Sequence, residues 1–192
     1  MTKIRLFDGW AVNDFLAVGS AHRAQTGFGF ISRCLDEYPQ GTLREEAISA
    51  PYSRQIDVLV SYNFELILDA GIFASSSKNT EQELILETKT GHNLAILWDK
   101  MPRDMRNFLS IKSITHNKKG IFESYKIKLD NDEILIVEDL NSIRYDIKDF
   151  RGKETTHLRE LSRGDGSKYE KTIEISKELS KKLLESLYSK YK

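Results

Sequence analysis

The residues with the most chemistry to offer are few and widely spaced. Four histidines occur, His22, His92, His116 and His157. No two stand at the short spacing that presents a pair of imidazoles to one metal ion. Cys34 is the single cysteine, so the chain can form neither an internal disulfide nor a cysteine pair for zinc. A lone thiol suits a reducing compartment, and it packs as a small apolar side chain. There is no Gly-x-x-x-x-Gly-Lys phosphate loop, no Gly-x-Gly-x-x-Gly dinucleotide turn after a strand, and no Gly-x-Ser-x-Gly elbow. The expectation is therefore no metal and no cofactor.

Three groups of polar residues stand out against this background. Asp57, Ser61, Glu65 and Asp69 recur at helical spacing and form one polar stripe on an otherwise apolar segment. His92 follows Gly91 at the start of a second apolar segment. There its ring either caps or packs locally, or meets an anionic ligand at a helix N-terminus, where backbone N–H groups favour phosphate. Arg144 lies beside the apolar positions Leu140, Ile143 and Ile147. A half-buried guanidinium needs a carboxylate, which Glu65 or Asp69 would supply; contact with a phosphate is the other reading.

The elements that must position these residues read mostly as helices. Pro39, Pro51 and Pro102 are the only prolines, and each sits where a periodic segment starts or stops. The first helix spans about Asn13 to Tyr38, with a bend or break near Gly27. The second spans about Tyr52 to Ser75 and is apolar on most of its circumference, which places it in the middle of a bundle as the most buried element. Glu81 to Thr90 reads as a helical turn or an extended piece. Helix resumes after Gly91 as far as Pro102, and another short helix covers Asp104 to Ile114. Phe122 to Leu129 alternates apolar and polar residues, so it is a short strand or an extended connection. From Asp132 to Phe150 the residues Ile136, Leu140, Ile143, Ile147 and Phe150 share one helical face, with Asp130 or Asn131 as N-cap. A polar loop over 151–166 precedes an amphipathic helix, Ser167 to Lys192. Its lysines are balanced by Glu170, Glu174, Glu178 and Glu185, as on an ordinary solvated face. The expected fold is an all-α, four- to five-helix up-and-down bundle in a single domain over 1–192.

Charge and hydropathy narrow the function classes. Lys plus Arg and Asp plus Glu number 29 each, giving zero net charge, which argues against binding nucleic acid by bulk charge alone. The charged residues near the N-terminus do not suit a signal peptide, and the apolar stretch from Val58 to Ala74 is interrupted by Ser61, Asn63, Glu65 and Asp69. The expected location is the cytoplasm, with no membrane association.

Two strings resemble a known superfamily. Tyr62-Asn63-Phe64-Glu65-Leu66-Ile67-Leu68-Asp69-Ala70 and Gly91-His92-Asn93-Leu94-Ala95-Ile96-Leu97-Trp98 are similar to the central helix and following helix start of HEPN (higher eukaryotes and prokaryotes nucleotide-binding) domains. Arg144-Tyr145 is similar to a dipeptide of some bacterial members. The resemblance covers about Ala50 to His157. It departs from the family at Asp69, where lysine is usual and the charge is reversed. The resemblance implies a helical bundle, a homodimer, and a cytosolic role in phage defence, toxin systems or RNA processing. Active members are metal-independent endoribonucleases in which an arginine precedes a histidine by a short spacer. The matching residues are Arg151-Gly152-Lys153-Glu154-Thr155-Thr156-His157, although Gly152 replaces the polar residue usual after the arginine. In such a site the histidine would move a proton of the ribose 2′-hydroxyl or of the leaving oxygen, and the arginine would hold the phosphate. The resemblance thus implies Arg151 and His157 as catalytic residues, beside His92 and Arg144 as binding residues. Three readings follow: a non-catalytic module for a nucleotide, RNA or a cognate protein partner; the endoribonuclease; and a plain helical protein-interaction domain.

Overall fold

The structure is a computed structural model, and it describes residues 10–36, 53–78, 80–118, 123–140 and 166–189. The elements run α1 (Val12–Asp36), α2 (Ser53–Ser75), α3 (Glu81–Thr88), α4 (Leu94–Lys100), α5 (Arg103–Phe108), β1 (Ile111–Asn117), β2 (Ser124–Leu129), β3 (Ile134–Glu138) and α6 (Gly166–Ser189). The three long helices α1, α2 and α6 pack against one another, and the sheet sits against α2 and α6 through β3. Among the described residues no helix is long and apolar enough to cross a membrane.

The fold is mixed α/β, which corrects the all-α expectation. The expected helix from Asp104 to Ile114 ends at Phe108, and Ile111 opens a strand. The expected helix from Asp132 to Phe150 begins instead as a strand, Ile134–Glu138. Asp130 and Asn131 cap no helix; they form the turn of the β2–β3 hairpin, where Asn131 Oδ1 accepts from the Glu133 N–H at 3.1 Å and Asp132 adopts φ +64°. Ile136 and Leu140 fit a helical period by spacing alone. In the structure Ile136 points outward, 43% exposed, while its neighbours Leu135 and Val137 face the core. The three strands form an antiparallel meander, β1-β2-β3, with His116 opposite Tyr125 and Tyr125 opposite Val137. The strand reading of Phe122 to Leu129 holds for Ser124–Leu129.

The helices follow their sequence patterns more closely. α1 runs unbroken through Gly27 and buries Ala17, Val18, Ala21, Ala24, Phe28 and Ile31. Gly27 marks where α1 and α2 cross most tightly, since a Cβ there would stand 2.3 Å from Asn63 Nδ2. α2 is central, as expected: Phe64, Ile67 and Leu68 are fully buried, and even the stripe residues Asp57, Ser61 and Glu65 lie inside. On α6, Ile173, Leu179, Leu183, Leu184 and Leu187 face the core. Ser176 Oγ donates back to the Thr172 carbonyl at 2.6 Å, so a buried hydroxyl is satisfied within the helix. Lys182, although exposed, is tied to the fold. Its Nζ donates to the Phe108 carbonyl at 2.6 Å and lies over the Phe108 ring, fixing the end of α5.

Candidate functional site

The two strings that carry the family resemblance meet in space. Glu65 projects from α2, one helical turn before Asp69. His92 comes from the short link between α3 and α4, and its Nδ1 lies 2.8 Å from Glu65 Oε2 and 3.1 Å from Oε1. The link reaches α2 by an uncommon backbone route. Gly91 and His92 are consecutive left-handed residues, at φ +65° and +67°. Glycine takes that conformation freely, whereas histidine takes it under some strain, and the Glu65 contact holds the ring in place. His92 does not cap α4. That role falls to Asn93, whose side chain accepts from the Ile96 N–H at 3.1 Å.

The other wall is α3. Thr80 and Glu83 make a reciprocal cap, with Thr80 Oγ1 donating to Glu83 Oε2 at 2.7 Å and accepting from the Glu83 N–H at 3.3 Å. Leu84 anchors the helix in the core, while Ile85 and Leu86 stand about half exposed beside the cleft. Ser76 Oγ donates to Glu87 Oε2 at 2.7 Å, and Lys100 Nζ donates to the Glu87 carbonyl at 2.6 Å, so the far end of α3 is tethered as well. Between α2, α3 and the Thr88–His92 link opens a cleft of about 820 Å³, within the range of small-ligand sites. Ile85 and Leu86 give it an apolar side. Glu65, Asp69, Thr90 and His92 give it a polar one.

Asp69 is the unusual group. Its carboxyl is pushed up to about 8, first by burial, then by the neighbouring Glu65 charge, against the opposing pull of Arg23 on α1. Asp69 therefore carries its proton at neutral pH. Its Oδ1 meets no hydrogen-bond partner, and neither does the buried Thr90 Oγ1 beside the same cleft. A neutral carboxyl offers an O–H donor and a C=O acceptor side by side. Such a group pairs with a ligand edge that presents one acceptor and one donor. A phosphate dianion, which presents acceptors only, would have to lie beside the Glu65 carboxylate. No family model, curated protein or solved structure matches the chain.

Of the residues singled out from sequence, His92 lies in this cleft, and its partner is Glu65. Arg144, Arg151 and His157 fall outside the described residues. Of the two carboxylates on the α2 stripe, Glu65 holds His92, and Arg23 acts on Asp69. Sequence reasoning missed Arg23 and Thr90, which carry no spacing signal, and read Asp69 as part of the polar stripe, as a partner for Arg144 and as a departure from a family pattern, not as a protonated group. The perturbation of Asp69 had one visible cue, a second acidic residue on the same face of a strongly apolar helix.

Proposed function

We propose that this protein is a HEPN-like, non-catalytic module that binds a nucleotide by its base in the α2–α3 cleft. The observation that carries this reading is the half-buried Asp69 carboxyl lining the cleft, whose buried Oδ1 meets no hydrogen-bond partner, beside Glu65 and the apolar pair Ile85 and Leu86. Adenine and cytosine present a ring nitrogen acceptor next to an exocyclic amine donor. A protonated Asp69 matches that edge, the acidic surroundings favour the amine, and the isoleucine and leucine cover a flat ring. The packing of α1, α2 and α6 on one another also suits the family's helical core. In this reading the module works as a homodimer or with a cognate protein in a bacterial defence or toxin-type system.

Calorimetric titration of the full chain with adenosine, uridine and inorganic phosphate tests it. Adenosine is expected to bind at pH 6.5, uridine more weakly, and phosphate alone not at all. Asp69→Ala is expected to weaken adenosine binding roughly five- to hundredfold, the effect of losing one or two buried hydrogen bonds. Asp69→Asn keeps a donor and an acceptor, so it should bind and go on binding above pH 8, where the parent loses its proton and weakens. Phosphate binding without adenosine binding would overturn the reading. So would RNA cleavage in EDTA that His157→Ala abolishes, which would put the endoribonuclease in its place.

A further inference from the structure

A second cluster lies at the open end of the sheet, built from one residue of each strand's terminus. His116 is the penultimate residue of β1, Glu123 directly precedes β2, and Asp139 directly follows β3. The meander brings them together because Tyr125 pairs with His116 on one side and with Val137 on the other. Glu123 and Asp139 each stand two residues beyond that pairing, so both share the inward face with Tyr125. A backbone hydrogen bond from Asp139 N–H to the Glu123 carbonyl, 3.0 Å, locks the two carboxylate positions side by side.

The side chains converge on one point. His116 Nε2 lies 2.9 Å from Glu123 Oε2 and 3.8 Å from Asp139 Oδ2, and the three donor atoms all lie within 4.8 Å of one another. Donor atoms around one zinc-sized ion, each at about 2.0–2.2 Å, stand roughly 3–3.6 Å apart. The observed spacings bracket that range, so small side-chain rotations would close the set. His116 Nε2 is shielded from water and, close as it lies to the two carboxylates, makes no hydrogen bond.

The surroundings fit a bound ion. Tyr125 stacks on the His116 ring at 4.6 Å, with the planes 20° apart, and its hydroxyl donates to Asp139 Oδ2 at 2.5 Å. Such outer contacts fix the orientation of both an imidazole and a carboxylate. The His116 and Asp139 side chains are 14% and 5% exposed, while Glu123 is 42% exposed and leaves a way in from solvent. Among the described residues this is the one His/Asp/Glu group of such compactness.

We propose that His116, Glu123 and Asp139 bind one divalent transition-metal ion of the zinc class, with a solvent position open on the Glu123 side. One imidazole and two carboxylates suit zinc, cobalt or manganese better than the softer ions that seek sulfur. The bound dication would offset the two carboxylates and pin the ends of three strands. This inference stands apart from the cleft on α2 and survives if the nucleotide reading fails.

Cobalt(II) titration of tag-free, EDTA-stripped protein tests it, followed by visible absorption. One equivalent is expected to produce the d–d bands of a low-symmetry protein-bound ion, zinc should displace it, and either metal should raise the melting temperature. Glu123→Gln and His116→Ala should each weaken binding more than tenfold, and Tyr125→Phe, through loss of its outer contact, about 10–100-fold. If His116→Ala does not fold, the half-exposed Glu123→Gln decides the matter. A parent that takes up no cobalt overturns the site, and so does a Glu123→Gln variant that binds it as tightly as the parent.

Discussion

Phe64→Ala is expected to destabilise the protein by about 3–5 kcal/mol. Phe64 is fully buried in the middle of α2, between the crossing with α1 at Gly27 and Asn63 and the part of α2 that carries Glu65 and Asp69. Truncation removes a large apolar side chain from water-free surroundings. It also leaves a cavity that the tight crossing cannot close, because Asn63 already meets Gly27 with no room for a Cβ. Urea unfolding followed by circular dichroism measures the loss. A change under about 1 kcal/mol would mean that the site collapses freely and that α2 is not the centre of the core.

Asp69→Asn is expected to act in the opposite direction, increasingly as pH rises from about 4 to about 8. The folded protein holds the Asp69 proton up to about pH 8, whereas an ordinary aspartate releases it near 3.8. Between those values the folded state binds a proton that the unfolded state does not. The stabilisation linked to that proton is therefore present at low pH and lost as pH rises through about 8. The groups that face Asp69 are Glu65 on its own helix and Arg23 on α1, with His92, Glu81 and Lys89 around the same cleft. Asparagine carries no charge to desolvate, so the variant should gain on the parent steadily from about pH 4 and reach a plateau above about pH 8. At roughly 1.36 kcal/mol for each pH unit of displacement, the plateau amounts to several kcal/mol. Melting temperatures taken across this range give the answer. A parent–variant difference that does not change with pH would place Asp69 in contact with water and ionised throughout.

Sequence pattern revealed the helices because each buries a broad face with the same period. α2, α4 and α6 begin and end close to where apolar spacing and proline placed them. The sheet was hidden for two reasons. β3 is a run of Ile134, Leu135, Ile136 and Val137, apolar on both faces, so the alternation that marks a strand is absent. β1 carries an irregularity between Ile111 and Ser113, which puts its buried residues Ile111 and Ile114 out of the two-residue rhythm. The β-branched residues of β3 and the Asn131-Asp132 pair before it were the available signals. The candidate site was half legible. The Glu65–Asp69 stripe and the Gly91-His92 start were visible as patterns, but their contact spans residues far apart in the chain. It depends on two left-handed backbone positions that no spacing reveals. The sheet-end cluster was invisible for the same reason: its histidine, glutamate and aspartate meet only through strand register.

The central claim is that Asp69 is a neutral donor and acceptor on the cleft wall, ready for a base. Carbon-detected NMR titration of the carboxyl carbons, with aspartate labelled and Asp69→Asn used for assignment, observes it directly. The expected result is one aspartate that titrates near about 8 in the free protein and at a still higher pH with adenosine bound, because a ligand that prefers the protonated form must raise its pKa. An Asp69 carboxyl that titrates in the ordinary range below pH 5, or one whose midpoint adenosine leaves unchanged, would contradict the claim.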